Sequence, residues 1–245
     1  LGLSTVISVD LAYRRTKDLG IAVIDRNGDQ ITVDFVEPTE LQLTSPIVPE
    51  KCAHALDTLA KAMGARVLLL DGPQAWKSAS NGCPCQRVCE KRLNTPAKTG
   101  EPGACKPNGY LPFVQFSIDV FEHLAILGWC LLPNRADFAP TAFYALEVFP
   151  TASWAAYGLK PLPAKQKCSS ADLDHRFHSL ESTLQLQVSR KPNHDELQAL
   201  VAGLCGLSIA ENRLNEVAMH GTEPTCEDGV YREGYIVTAK PIGAQ

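Results

Sequence analysis

The run Val67-Leu68-Leu69-Leu70-Asp71 constrains this chain more than any other five residues. It is short, continuous and apolar, which predicts a strand covered on both faces rather than one lying on a half-wet sheet. Before it, residues 50–63 carry Ala53, Leu56, Leu59, Ala60 and Met63 at helical spacing, and Gly64 supplies a C-terminal stop. A helix feeding a buried strand is a crossover, so the strand is expected to lie parallel to a neighbour. The expected class is therefore α/β, a mixed sheet flanked by helices.

The neighbour is found at the start of the chain. Residues 4–10 are rich in β-branched side chains and end in Asp10; residues 19–25 form a second such run, and residues 30–37 alternate apolar and polar. Asn27-Gly28 is a hairpin signal between the second and third runs. The chain is thus expected to open with a three-strand antiparallel meander, with residues 67–71 parallel to the first strand. Asp10 and Asp71 then stand at carboxyl ends of parallel strands, the edge of an open α/β sheet where ligands bind.

Further along, helical spacing runs from Phe116 to Gly128, and residues 143–150 read as a strand closed by Pro150. Residues 151–157 predict a short helix, 160–170 a linker, 171–187 a polar amphipathic helix, and Asn193 to about Val217 a long helix. A last strand is expected over 234–238. Residues 72–112 are irregular, rich in Pro, Gly and Cys, and set Lys77, Arg87, Lys91, Arg92, Lys98 and Lys106 against only Glu90 and Glu101. A segment of that length without regular structure is usually functional or mobile.

With 245 residues the chain is long enough for one large α/β domain, 1–245, with 72–112 as an insert within it. A net charge of −4 excludes a global basic field, so any surface for nucleic acid must be local. No apolar run is long enough to cross a membrane and no signal-peptide pattern opens the chain. The initial Leu implies a trimmed start. Nine cysteines, an odd count in a chain of this size, do not resemble a secreted disulfide framework, and Cys52, Cys130 and Cys205 sit in apolar patterns; a reducing cytoplasm is expected.

Four acidic residues occupy pointed positions: Asp10 and Asp71 at strand ends, Glu147 near the end of a third strand, and Asp195 in the first turn of the long helix. Carboxylates gathered together repel one another unless a cation relieves them. Mg²⁺ or Mn²⁺ would suit such a set, because hard cations take oxygen ligands and keep several waters. Two metals about 4 Å apart can serve phosphodiester hydrolysis. Each acid also has a plainer explanation. Asp71 before Gly72-Pro73 and Asp10 at a strand end can cap turns. Glu147 can pair with an arginine. Asp195 can favour a helix N-terminus beside an Asn193/Glu196 capping box.

Taken in order, Val9-Asp10-Leu11-Ala12, Asp71-Gly72-Pro73, Arg87 to Arg92, Glu147-Val148-Phe149-Pro150, and His194-Asp195 with Ala199-Leu200 resemble the domain-of-unknown-function family 429, described as predicted nucleases of ribonuclease H-like fold. The resemblance spans nearly the whole chain. It implies a sheet ordered around the first strand, metal ligands Asp10, Asp71 and Asp195, a further catalytic candidate in Glu147, and hydrolysis of nucleic acid. One position departs from the pattern: where that family and related junction resolvases carry a second acid, three residues after the first, this chain has Gln198, which offers an oxygen without charge.

The basic residues give the expected substrate contacts. Arg87, Lys91 and Arg92 would share one short helix edge beside Asp71, and Arg14 and Arg15, with Lys17, follow Asp10 in the next loop. Such phosphate contacts add affinity without sequence choice. His194 would touch phosphate or orient a water. Cys83, Cys85, Cys89 and Cys105 are a candidate structural Zn²⁺ set, although C-x-C followed by C-x₃-C is not the usual knuckle spacing; disulfides or free thiols are the alternatives. Two other functions compete. A nucleotide- or phosphate-binding protein of actin and sugar-kinase architecture would normally show glycine soon after Asp10, whereas none lies between Asp10 and Gly20. A ribonuclease H-like scaffold without catalysis would be consistent with Gln198.

Overall fold

The structure is a computed structural model that describes residues 4–241. Its elements are β1 (Ser4–Asp10), β2 (Gly20–Asn27), β3 (Gln30–Phe35), α1 (Pro49–Met63), β4 (Val67–Asp71), α2 (Val88–Leu93), β5 (Lys98–Thr99), β6 (Cys105–Lys106), α3 (Leu111–Ile126), β7 (Tyr144–Val148), α4 (Pro150–Ala156), α5 (Ser170–Leu184), β8 (Leu186–Val188), α6 (His194–Ala210), β9 (Val217–Glu227) and β10 (Val230–Ala239). Eight strands form one sheet in the order β8-β3-β2-β1-β4-β7-β10-β9, and β5 pairs with β6 in a separate ribbon. The expected meander is present, with β1–β2 and β2–β3 antiparallel. β4 runs parallel to β1, β7 to β4 and β10 to β7.

The period of two along the central strands separates two cores. Ile7, Val9, Ile21, Val23, Leu68 and Leu70 pack on one face with Leu56 of α1 and Phe116, Val120 and Phe121 of α3. Val6, Ala22, Ile24 and Leu69 pack on the other with Trp154 of α4, Leu180 of α5, and Leu197, Leu200, Leu204 and Leu207 of α6. α6 can lie this close because it presents no side chain at two points: a Cβ on Gly203 would reach 2.7 Å from Ile24 Cδ1, and one on Gly206 3.1 Å from Leu69 Cδ2. Among the described residues no helix is long and apolar enough to cross a membrane.

Three expectations are corrected at the C-terminal half. The long helix stops at Ala210, followed by Asn212 with φ 57°, and Val217 begins a strand instead. The helix read over 171–187 ends at Leu184; Gln185 takes a left-handed φ of 52°, and Leu186–Val188 joins the sheet beside β3. The last strand, expected over 234–238, is present but runs over Val230–Ala239 as the second arm of a long β9–β10 hairpin. α3 also starts five residues before the expected Phe116, with Pro112 in its first turn, where proline's missing N–H costs nothing.

The insert is more ordered than its composition implies. It contains α2 and the β5–β6 ribbon, and it is sewn to β10 by hydrogen bonds from Trp76 N to Tyr231 O (3.1 Å) and from Glu233 N to Trp76 O (2.8 Å). The Glu233 carboxylate, 4 % exposed, accepts from Ser78 N, Asn81 Nδ2 and Val88 N at 3.0, 2.5 and 2.9 Å. The expected zinc set is corrected: no three His, Cys, Asp or Glu side chains among the described residues come together as a metal ligand group, and none of the nine cysteines is in a disulfide. The segment is tied together by hydrogen bonds to the buried Glu233 and Glu90 carboxylates.

Candidate active site at the carboxyl edge of the sheet

Asp10 and Asp71 are direct register partners on the parallel pair β1 and β4, so both carboxylates leave the same sheet edge side by side. Asp195 reaches the same edge from α6. Asn193 caps that helix, accepting from Asp195 N and Glu196 N at 2.9 and 3.0 Å, while Glu196 accepts from Asn193 N at 2.8 Å. The first turn of α6 is thus held firmly, and its approach to the sheet is set by Gly20, the register partner of Asp10. A Cβ on Gly20 would overlap the Asp195 carbonyl and lie 2.6 Å from Glu196 N. Sequence reasoning missed Gly20, whose only signal is a glycine at the start of an otherwise β-branched strand.

The electrostatics follow from that crowding. Burial raises the Asp10 pKa well above the ordinary carboxylate range, and the neighbouring Asp71 and Asp195 charges raise it further. Burial, with the nearby Glu147 charge second, pushes Asp71 up to about 7. Among the described residues, a lysine ammonium reaches the cluster. Lys165, exposed on the segment between α4 and α5, pairs with Asp195 Oδ2 and with Asp18 Oδ1 at 2.8 Å. Lys165 and Asp18 were not singled out from the sequence; a lysine in a Lys/Pro-rich linker carries no sign of its partner.

His194 is tied at both ring nitrogens, Nδ1 to Asp195 Oδ1 at 3.1 Å and Nε2 to Pro163 O at 3.0 Å. The Asp195 hydrogen bond raises its pKa against the opposing effect of burial. In this arrangement the ring fixes Asp195 and the 163–165 segment; both nitrogens are committed within the chain. Gln198 is one turn further along α6, and its Oε1 accepts from Trp154 Nε1 at 2.9 Å.

Glu147 and Arg87 are brought together with each other. Arg87 Nη1 and Nη2 donate to Glu147 Oε2 and Oε1 at 2.7 and 2.6 Å, Gln74 N donates to Glu147 Oε2 at 2.9 Å, and Arg87 Nε and Nη2 donate to Glu90 Oε1 at 3.1 and 3.0 Å. Arg87 is fully buried and Glu147 is 3 % exposed. The expectation that Arg87 shares an exposed helix edge with Lys91 and Arg92 is therefore corrected. A guanidinium already matched to two carboxylates stays inside, and Arg87 occupies the cap position of α2, leaving Lys91 and Arg92 exposed. Arg92 Nη1 donates to Gly221 O at 2.9 Å. On the other side of the edge, Arg14 and Arg15 are exposed; Arg14 lies over the Tyr13 ring and Arg15 Nε pairs with Asp18 Oδ2 at 2.6 Å.

The donor chemistry at this edge suits a hard divalent cation: half-buried carboxylates in register, with proton affinities raised by burial and mutual repulsion. The absence of a ready three-ligand group does not oppose that fit, because Mg²⁺ commonly takes one or two carboxylates and fills its shell with water and substrate oxygens. The chain matches no protein-family model and no curated protein. Among solved structures, Thermus thermophilus RuvC aligns at TM-score 0.41 and 12% identity over 85% of this chain and 97% of that one. T. thermophilus RuvC in complex with a Holliday junction substrate aligns at 0.39 and 13%, over 86% and 97%. Likeness at this level assigns neither family nor function.

Proposed function

We propose that this chain is a divalent-metal-dependent phosphodiester hydrolase of ribonuclease H-like architecture that acts on nucleic acid. The observation that carries the reading is the Asp10–Asp71 pair in register on parallel strands, with Asp195 delivered to the same edge over Gly20. The order of the sheet around β1, a meander on one side and parallel strands on the other, agrees with the architecture that the sequence resemblance implies. Asp10, Asp71 and Asp195 would hold Mg²⁺ or Mn²⁺, which when bound would activate a water and stabilise a leaving oxygen. Arg14, Arg15, Lys91 and Arg92 stand at the rim, placed to meet substrate phosphates. Glu147 is assigned a positioning role, because its carboxylate pairs with Arg87 and accepts from Gln74 N.

A non-catalytic scaffold is the second reading, and two contacts favour it. Lys165 already supplies positive charge to Asp195, and Gln198 is engaged by Trp154. Calorimetric titration with Mg²⁺ and Mn²⁺, together with cleavage of single-stranded, duplex, hybrid and branched substrates, separates the two. Metal binding weakened by Asp10→Asn and Asp71→Asn, with metal-dependent cleavage lost in both, supports the hydrolase. Metal binding without cleavage favours the scaffold, and no metal binding removes the hydrolase reading.

A further inference from the structure

A cavity of about 200 Å³ has Asp71 in its wall and extends away from the acidic edge among residues to which the proposed hydrolysis gives no substrate or metal contact. Its lining divides by burial and by chemistry. Arg87, Glu90, Glu147 and Thr99 are buried, whereas Tyr110, Phe113 and Phe149 reach solvent. Phe113 also fixes the cavity against the acidic edge, because its ring packs on Gly72, where a Cβ would stand 3.3 Å from Phe113 Cζ. The cavity therefore has a buried, charged part and a solvent-reaching aromatic part, and a carboxylate of the candidate metal site stands in its wall.

Three features define what fits. An apolar cavity of about 150 Å³ accommodates one benzene, so this one has room for a single heteroaromatic ring system. The charged lining carries three carboxylates, those of Asp71, Glu90 and Glu147, against one guanidinium, and every side-chain nitrogen of Arg87 donates to Glu90 or Glu147, so no cation is left for a phosphate. Glu147 Oε1 accepts a single hydrogen bond, from Arg87 Nη2, and so retains acceptor capacity. Thr99 also lines the cavity, and its buried hydroxyl has no hydrogen-bond partner among the described residues. A planar ring with N–H donors on one edge would satisfy the carboxylate and the threonine while its faces meet Tyr110 and Phe113.

We propose that this cavity is a nucleobase subsite that takes one unpaired, amino-bearing base, so that the adjoining phosphate is presented at the Asp10–Asp71 edge. The assignment deepens the hydrolase reading by making the substrate a strand with an unstacked base; it rests on that reading only for the phosphate. Base capture needs no metal and no chemistry.

The test is ligand-observed NMR and calorimetry in EDTA, with adenosine, guanosine, cytidine, uridine, ribose 5-phosphate and phenol as probes. The amino-bearing nucleosides should bind at least about tenfold more tightly than ribose 5-phosphate or phenol, and more tightly than uridine. Ala97→Phe, which fills the cavity from a partly buried lining position, should abolish that binding. Thr99→Val replaces an unpartnered hydroxyl by a methyl group; it should hold or raise the melting temperature and weaken binding about fivefold. Equal binding of phenol or ribose 5-phosphate, unchanged binding in Ala97→Phe, or no nucleoside binding at millimolar concentration would overturn the subsite. Because the probes lack a scissile bond and the buffer lacks metal, a failure here leaves the Mg²⁺ titration of Asp10→Asn standing as the separate test of the hydrolase.

Discussion

The backbone of Asp195 rests directly on Gly20: a single methyl group there would overlap the Asp195 carbonyl and crowd Glu196 N. Gly20 in turn pairs with Asp10, so one hydrogen-for-methyl difference sets the distance between the helix carboxylate and the strand carboxylates. Gly20→Ala is expected to destabilise the fold by about 1–3 kcal/mol, the usual cost of overpacking a close contact. It should also weaken divalent-cation binding, because α6 must back away. Urea unfolding with calorimetry on the same preparation checks both.

Asp71 supplies a pH dependence whose sign follows from its pKa. Unfolded, this carboxyl titrates near 3.8; folded, burial and then Glu147 push it to about 7. Between those values the native state holds a proton that the unfolded chain releases, so this group's contribution to stability falls as pH rises from about 4 to 7 and is gone above it. The slope is about 1.4 kcal/mol per pH unit for one proton. Asp71→Asn should flatten that part of the stability profile measured without metal. In the wild type, divalent-cation affinity should rise with pH through about 7, since binding must displace the Asp71 proton and the proton that burial holds on Asp10.

Arg87, Glu90 and Glu147 form a buried triad that cannot lose its cation cheaply. Arg87→Met is expected to cost about 3–5 kcal/mol, because two carboxylates remain inside without their partner. Arg87→Met combined with Glu147→Gln and Glu90→Gln should recover part of that loss. Chemical denaturation of the single and triple variants decides whether charge burial or mere packing is responsible.

Lys165 is expected to behave as a competitor for cations at the acidic edge. Its ammonium is 44% exposed and pairs with Asp195 and Asp18, so its contribution to stability is small, below about 1 kcal/mol. Lys165→Met should raise Mg²⁺ affinity by about fivefold or less, with the difference shrinking at high salt as screening weakens the pairing. An unchanged affinity would mean that Lys165 swings clear when a cation arrives.

The Glu233 carboxylate is the clasp of the insert. Glu233→Gln replaces an acceptor oxygen by a donor that faces backbone N–H groups of Ser78 and Val88, leaving one of them unsatisfied at a cost of about 1–3 kcal/mol. Limited proteolysis should then cut within residues 79–86 sooner than in the wild type, while β1–β4 stay protected.

What the sequence determined by itself was the centre of the sheet. Residues 4–10, 20–27 and 67–71 are continuous or alternating runs bounded by turn residues, and a periodic signal a few residues wide is enough to read a strand and the carboxylate at its end. The Asn193 cap was legible for the same reason: donor and acceptor lie within one turn. Tertiary structure alone decided the rest. β9, interrupted by Gly221 and Pro224, has no clean alternation, and it is a strand because β10 pairs with it. Arg87 read as one more surface cation, yet its partner is 60 residues away on β7. Lys165 and Gly20 matter only because chain closure sets them against Asp195. Local periodicity is written in neighbouring residues; the partner of a charge, and the gap a glycine must leave, exist only once distant segments have packed.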